Sequence, residues 1–256
     1  MKSTLVTSLL VALTLVGAAC GKDDPSPAKT PSKPVLDCSF GAGEGAPSTC
    51  VKATKSPEYY VDQAQKYFDT LDSSADPNNI PTYSDLVARW EWPPWLKLTG
   101  YERQMLIDTN KLVAKHDGST IPIRECKAFT VQPFSRCRVS FTFEGGPCAI
   151  YEEFTFNEAG EMTFIEAWTD APGMLPMKDA SDHWGEGPDV HRLSTKIPGL
   201  GTAKGLIDPD GEWMSAIAEH DAEVADFAMR AQDFWNYWYE ELGSVEGDLY
   251  AIGCGW

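Results

Sequence analysis

The chain has 256 residues, 38 acidic against 21 basic, and a formal net charge of −17. So acidic a surface favours solubility and argues against nucleic acid and anionic lipid headgroups as partners. Beyond a leader and a tether, about 200 residues remain, enough for one large domain or a domain with an extension.

Residues 1–19 read as a secretory signal. Lys2 supplies a positive start, Leu5 to Val16 is largely apolar, and Gly17, Ala18 and Ala19 are small. The apolar run is too short to span a bilayer. Cys20 directly after small residues resembles the lipobox of bacterial lipoproteins, although Gly17 stands where Leu is usual. The resemblance implies lipidation of Cys20 and a membrane anchor in the bacterial cell envelope, periplasmic or surface-exposed. Cleavage nearby to give an ordinary secreted protein is the alternative. Losing the leader removes one Lys and no acid, so the mature chain is slightly more acidic still.

Residues 20–56 are rich in Pro, Ser and charge and read as a tether. Apart from Cys20 the cysteines are Cys38, Cys50, Cys126, Cys137, Cys148 and Cys254. An even number in an exported domain points to disulfides. Cys38 with Cys50 is a reasonable local bond, and Cys254 can tie the C-terminus to the sheet.

A helix is predicted from Pro57 to Leu71, capped by Ser56, with Pro57 in its first turn. Its stripe is Val61, Ala64, Phe68 and Leu71, flanked by Tyr60 and Tyr67. Asp76 to Asn79 is a turn, and Tyr83 to Trp90 a short helix or strand. Trp90, Trp92 and Trp95 surround a Pro-Pro step that no helix interior tolerates. They can stack on a ligand or pack under the helices. A second helix follows over Tyr101 to His116, and residues 121–170 are strands.

Within those strands Gly145-Gly146 suits a two-residue hairpin loop, which places Phe141 opposite Ile150, Val139 opposite Glu152, and Arg138 opposite Glu153. That register separates Cys137 from Cys148 too far for a bridge. The next loop, Glu158 to Gly160, has Gly160 in the left-handed position, so Phe156 faces Met162, Glu152 faces Glu166 and Ile150 faces Trp168. Two carboxyls facing each other among apolar groups are unfavourable unless one is protonated or a cation is near. Lys127 is the candidate cation. The pair is either an acid/base or ligand-anchoring element, or a solvated strand edge.

The order of elements resembles the nuclear transport factor 2-like superfamily over residues 57–170. The resemblance rests on Tyr67 to Ser73, Gly100 to Arg103, and Phe154 to Met162 running on to Ile165 to Asp170. It implies an α+β fold in which a curved antiparallel sheet wraps N-terminal helices into a cone with a pocket at its open end. The family includes dehydratases, isomerases, cyclases, binding modules and assembly modules, so fold does not give function. The resemblance places Glu166 on the last strand, where several family enzymes carry pocket-facing polar groups. The Asp-Arg-Asp set of the epoxide hydrolases has no match between Glu161 and Asp170.

Residues 171–256 extend beyond the resemblance as an irregular arm and a helix capped by Asp221 and running to Leu242. Asp179, Asp182, His183, Glu186, Asp189 and His191 have no recognised metal spacing, and no cofactor motif is present. Three readings follow. The first is an envelope lipoprotein whose small pocket holds an apolar or amphipathic molecule without turnover, lined by Trp168, Tyr67, Trp92 and Lys127. The second is an enzyme of dehydratase, isomerase or cyclase type with Glu152 and Glu166 as its catalytic acid and base. The third is a homodimerisation or assembly module.

Overall fold

The computed structural model describes residues 50–92, 100–116, 118–143, 146–169, 177, 179, 181–185, 193–194, 196 and 212–233. All lie within one compact unit, residues 37–256. Cys20, Cys38, Trp95, Glu186, Asp189, His191 and Cys254 fall outside the described residues, as does the part beyond Asp233 of the helix expected from Asp221 to Leu242.

Helix α1 spans Pro57–Asp69. Ser56 caps it by accepting a hydrogen bond from the Tyr59 amide, and Pro57 occupies the first turn, where no amide donor is needed. Tyr60, Ala64, Tyr67 and Phe68 form its buried face, which is turned from the expected Val61 stripe toward the two tyrosines. Strand β1 (Tyr83–Trp92) resolves the open choice between helix and strand, and β2 (Gly100–Tyr101) is short. Helix α2 (Arg103–His116) precedes β3 (Thr120–Ala128), β4 (Ser135–Phe143), β5 (Gly146–Phe156) and β6 (Met162–Thr169). Helices α3 (Glu212–Ala218) and α4 (Ala222–Asp233) follow.

The strands form one open sheet in the order β2-β1-β6-β5-β4-β3. The α+β class is as expected. The sheet is mixed rather than antiparallel throughout, because β1 runs parallel to β6. Two aromatic-rich cores lie on its two faces. On one face, Tyr60, Tyr67 and Phe68 of α1 meet Phe134, Phe154 and Phe156. On the other, Trp90, Tyr151, Phe164 and Trp168 meet Val224 and Phe227 of α4 with Met177 and Leu193 of the arm. The arm is therefore part of the packed unit. At the other end Val51 is buried in the first core, so packing begins within the stretch expected to be tether.

Both hairpin registers differ from expectation. Between β4 and β5, Phe143 pairs with Gly146 and Val139 with Ile150, a shift of two residues that leaves every side chain on its expected face. Arg136, not Arg138, thereby faces Glu153. Between β5 and β6 the loop is as read: Gly160 has φ +85° and Phe156 pairs with Met162. A β-bulge then intervenes, since Thr155 pairs with Phe164 and leaves Thr163 as the extra residue. Its hydroxyl donates to the Thr155 carbonyl at 3.2 Å. A shift of one residue exchanges faces, so Glu166 opposes Glu153 and Glu152 opposes Ala167.

Cys126 and Cys137 are directly opposite on β3 and β4 and form a disulfide with Cα atoms 4.0 Å apart. Cys50 and Cys148 are each half of a disulfide as well.

Candidate functional site

The bulge at Thr163 divides the two expected catalytic carboxylates between opposite faces of the sheet. Each has its own cation or donors, and neither set includes Lys127. That lysine is exposed near the β3 edge, its ammonium 5.4 Å from the Phe129 ring centre.

On the α1 face, Glu152 is fully buried and paired with Arg89 of β1 at 3.5 Å. Alternation along β1 puts Val87 and Arg89 on this face and Ala88 and Trp90 on the other. The Arg89 guanidinium also lies 5.3 Å from the centre of the Tyr67 ring, a cation–π distance. Tyr83, at the start of β1, completes the group. Burial raises its phenol well above the usual range; the Glu152 charge raises it further, and Arg89 and Thr70 only partly oppose this. Tyr83 is therefore a neutral donor at any physiological pH.

Tyr83 also lines a cleft between the end of α1 and α2, shared with Thr70 and Asn110. The Thr70 hydroxyl donates to the Tyr67 carbonyl at 2.6 Å and accepts from the Asn110 amide at 2.9 Å. These bonds hold the cleft wall against the helix end. The Glu152–Arg89 pair, Tyr67 and Tyr83 thus make one buried polar cluster in an aromatic layer, with the cleft beside it.

On the arm face, Arg136 of β4 is fully buried and grips Glu153 of β5 through Nε at 2.7 Å and Nη2 at 2.6 Å. Nη1 and Nη2 also donate to the carbonyls of His183 and Gly185, both at 2.9 Å. The Tyr151 hydroxyl is bonded to His183 Nδ1, and the two rings stack. Glu166 accepts from the amides of Leu193 and Ser194, the latter at 3.1 Å. Both are main-chain groups of the arm, and Arg136 likewise bonds main-chain carbonyls there. This face is a fastening for residues 183–185 and 193–194, built from charges on β4, β5 and β6. Trp168 packs edge to face on Trp90 at 6.4 Å within the same core.

Of the residues expected to line one pocket, Tyr67 and Glu152 come together, while Trp168 and Glu166 lie across the sheet from them. Trp92 pairs with Trp168 through the backbone, and its side chain is outside the described set. Arg89, Tyr83, Arg136 and Glu153 were missed as site residues. Arg89 becomes legible only once Tyr83 to Trp92 is taken as a strand, and Arg136 only with the hairpin register moved by two. Asp179 and Asp182 accept from the Ser181 and Trp184 amides in local turns. Among the described residues no three His, Cys, Asp or Glu side chains are grouped to hold a metal ion.

Among the described residues no helix is long and apolar enough to cross a membrane. No protein-family model and no curated protein matches the chain.

Proposed function

We propose that the chain is an exported, lipid-anchored protein of the bacterial cell envelope, whose domain is a cone-like member of the nuclear transport factor 2-like superfamily and holds an apolar or amphipathic small molecule without turnover. The supporting observation is the Arg89–Glu152 pair with Tyr67 and Tyr83, buried in the aromatic layer beside a cleft. Ion pairs in such a setting contribute little net stability against apolar replacements, so their retention favours a role in recognition. Turnover by paired carboxylates is less favoured. An acid and a base must reach one substrate, yet Glu152 and Glu166 sit on opposite faces of the sheet.

Native mass spectrometry of the protein extracted from envelopes tests this reading. The expected result is a small-molecule mass, released unchanged on denaturation, on a polypeptide carrying lipid at Cys20. A native mass equal to the lipidated polypeptide alone would reject the binding reading, and an unlipidated Cys20 would reject the anchor.

A further inference from the structure

We infer that the outer edge of β3 is a self-association surface. A second copy of this chain adds its own β3 there, antiparallel, with Cys126 opposite Cys126 and Glu125 of each copy opposite Lys127 of the other. The inference goes beyond the ligand-binding reading and does not depend on it.

Strand β3 ends the sheet, with β4 as its one strand neighbour among the described residues. The ladder to β4 fixes which backbone groups of β3 face outward. Phe129 donates to the Phe134 carbonyl, and pairing runs unbroken from Ala128 opposite Ser135 to Ile123 opposite Ser140. Hydrogen-bonded and non-hydrogen-bonded pairs alternate along such a ladder. Lys127 and Glu125 therefore turn their amides and carbonyls to β4, and Ala128, Cys126 and Arg124 turn theirs to the outer edge. The 4.0 Å between the Cα atoms of Cys126 and Cys137 agrees, since non-hydrogen-bonded pairs are the closer kind. Pro122 has no amide, and the register shifts between Thr120 and Ile123, so the stretch able to accept a strand is Arg124 to Ala128.

Charge selects the register. An antiparallel neighbour must match outward-facing residues with outward-facing residues, so only every second register is allowed. With Arg124 opposite Cys126, Glu125 would face Glu125. With Cys126 opposite Ala128, Lys127 would face Lys127. Like charges directly opposite are unfavourable. With Cys126 opposite Cys126, the exposed Glu125 of each copy faces the exposed Lys127 of the other, in a close, non-hydrogen-bonded pair. A two-fold axis through that point repeats every contact, as an isologous dimer requires. The same register sets Arg124 beside the small Ala128 and exchanges about six backbone hydrogen bonds. It also brings Ile123, 45% exposed, toward Phe129 of the other copy. Arg138 reaches Glu125 at 3.4 Å, so this edge carries basic groups within a chain of net charge −17. Charged edge residues deter unrelated strands, and a second copy is the strand that brings the matching acid.

Sedimentation equilibrium of the full chain reads the association, and a reversible monomer–dimer equilibrium is expected. Glu125→Lys and Lys127→Glu each turn two unlike pairs into like pairs and should weaken the dimer by about tenfold or more. Both substitutions in one chain restore unlike charges and should recover most of the lost affinity. Ala128→Pro removes an outward amide that the monomer does not use and should abolish the dimer. Melting curves check that the variants are folded, and the charge exchanges decide the matter even if the proline variant is not. Amide exchange supplies a second readout. The amides of Arg124, Cys126 and Ala128 should slow at high protein concentration, while those of Glu125 and Lys127, already bonded to β4, change little. A monomer at every concentration, a dimer of unaltered strength in the single exchanges, no recovery in the double exchange, or no protection of the three outward amides would each overturn the inference.

Discussion

Individual side chains carry most of the unusual chemistry here, because charged groups are buried on both faces of one sheet. Removing either Arg89 or Glu152 deprives the other, itself buried, of an opposite charge at 3.5 Å, a loss that costs about 3–5 kcal/mol. Arg89→Met and Glu152→Met should each lower stability by about that amount in chemical denaturation. The double variant should lose much less than the sum, and additive losses would show that the two groups are not coupled. Asp72 gives the pH dependence. Burial alone would raise its pKa. Hydrogen bonds from Ser74 and Arg124 and from the Ile121 amide outweigh that effect and hold it below its ordinary value. A depressed folded value means that Asp72 stabilises the fold above about pH 4 and that this is lost as pH falls through the folded pKa. Asp72→Asn should flatten the acid limb of the stability profile, and an unaltered acid limb would count against this account.

Local elements were legible in the sequence wherever the physics is local. Ser56 and Pro57 start α1 as predicted. Asp221 caps α4 by accepting from the amides of Glu223 and Val224 at 3.0 and 3.1 Å. Its charge is supported by Lys196, which also reaches Glu223. Asp221→Ala should cost about 1 kcal/mol from the cap alone, read as a lower melting temperature. Gly160 likewise belongs to its turn. Its φ of +85° suits glycine, and an added Cβ would meet Lys55 Cε at 2.7 Å. Lys55 Cγ at 2.9 Å and the Tyr59 ring at 3.2 Å would have to shift as well, so Gly160→Ala should cost about 1–2 kcal/mol from the backbone and more from crowding. Gly160→Asn, which tolerates that region better, should recover part of the loss. The bulge was not legible. Nothing in Met162-Thr163-Phe164 demands that Thr163 drop out of the ladder, and polar–apolar alternation reads equally well without it. The Gln132 side chain explains part of it from afar, for it bonds the backbone of Phe156 in place of a strand partner. A tertiary contact 24 residues away in sequence therefore accompanies the break that sends Glu166 to the other face.

For the whole molecule, the sheet separates two buried polar systems that the register expected from the hairpin loops merges into one. The arm-face system fastens residues 183–185 and 193–194 largely through main-chain groups held by Arg136 and Glu166, with the His183 ring on Tyr151 as a side-chain contact. Arg136→Met should expose this segment to limited proteolysis while α1 and its core stay protected, as amide exchange can show. Protease resistance equal to wild type would mean that the apolar contacts of Met177 and Leu193 hold the arm unaided.

What the sequence determined by itself was the acidic character, the starts of α1 and α4, the turn at Gly160 and the alternation of each strand, while α3 (Glu212–Ala218) was not foreseen. The expected export and lipid anchoring rest on the same kind of local pattern in residues 1–20. Only the tertiary structure decided which strands lie side by side, that β1 and β6 run parallel, and which charge faces which. A strand's period says that alternate residues share a face, but a one-residue bulge reverses that assignment for everything beyond it. For that reason Glu152 belongs with Arg89 and Tyr83 beside the cleft, and Glu166 with the arm.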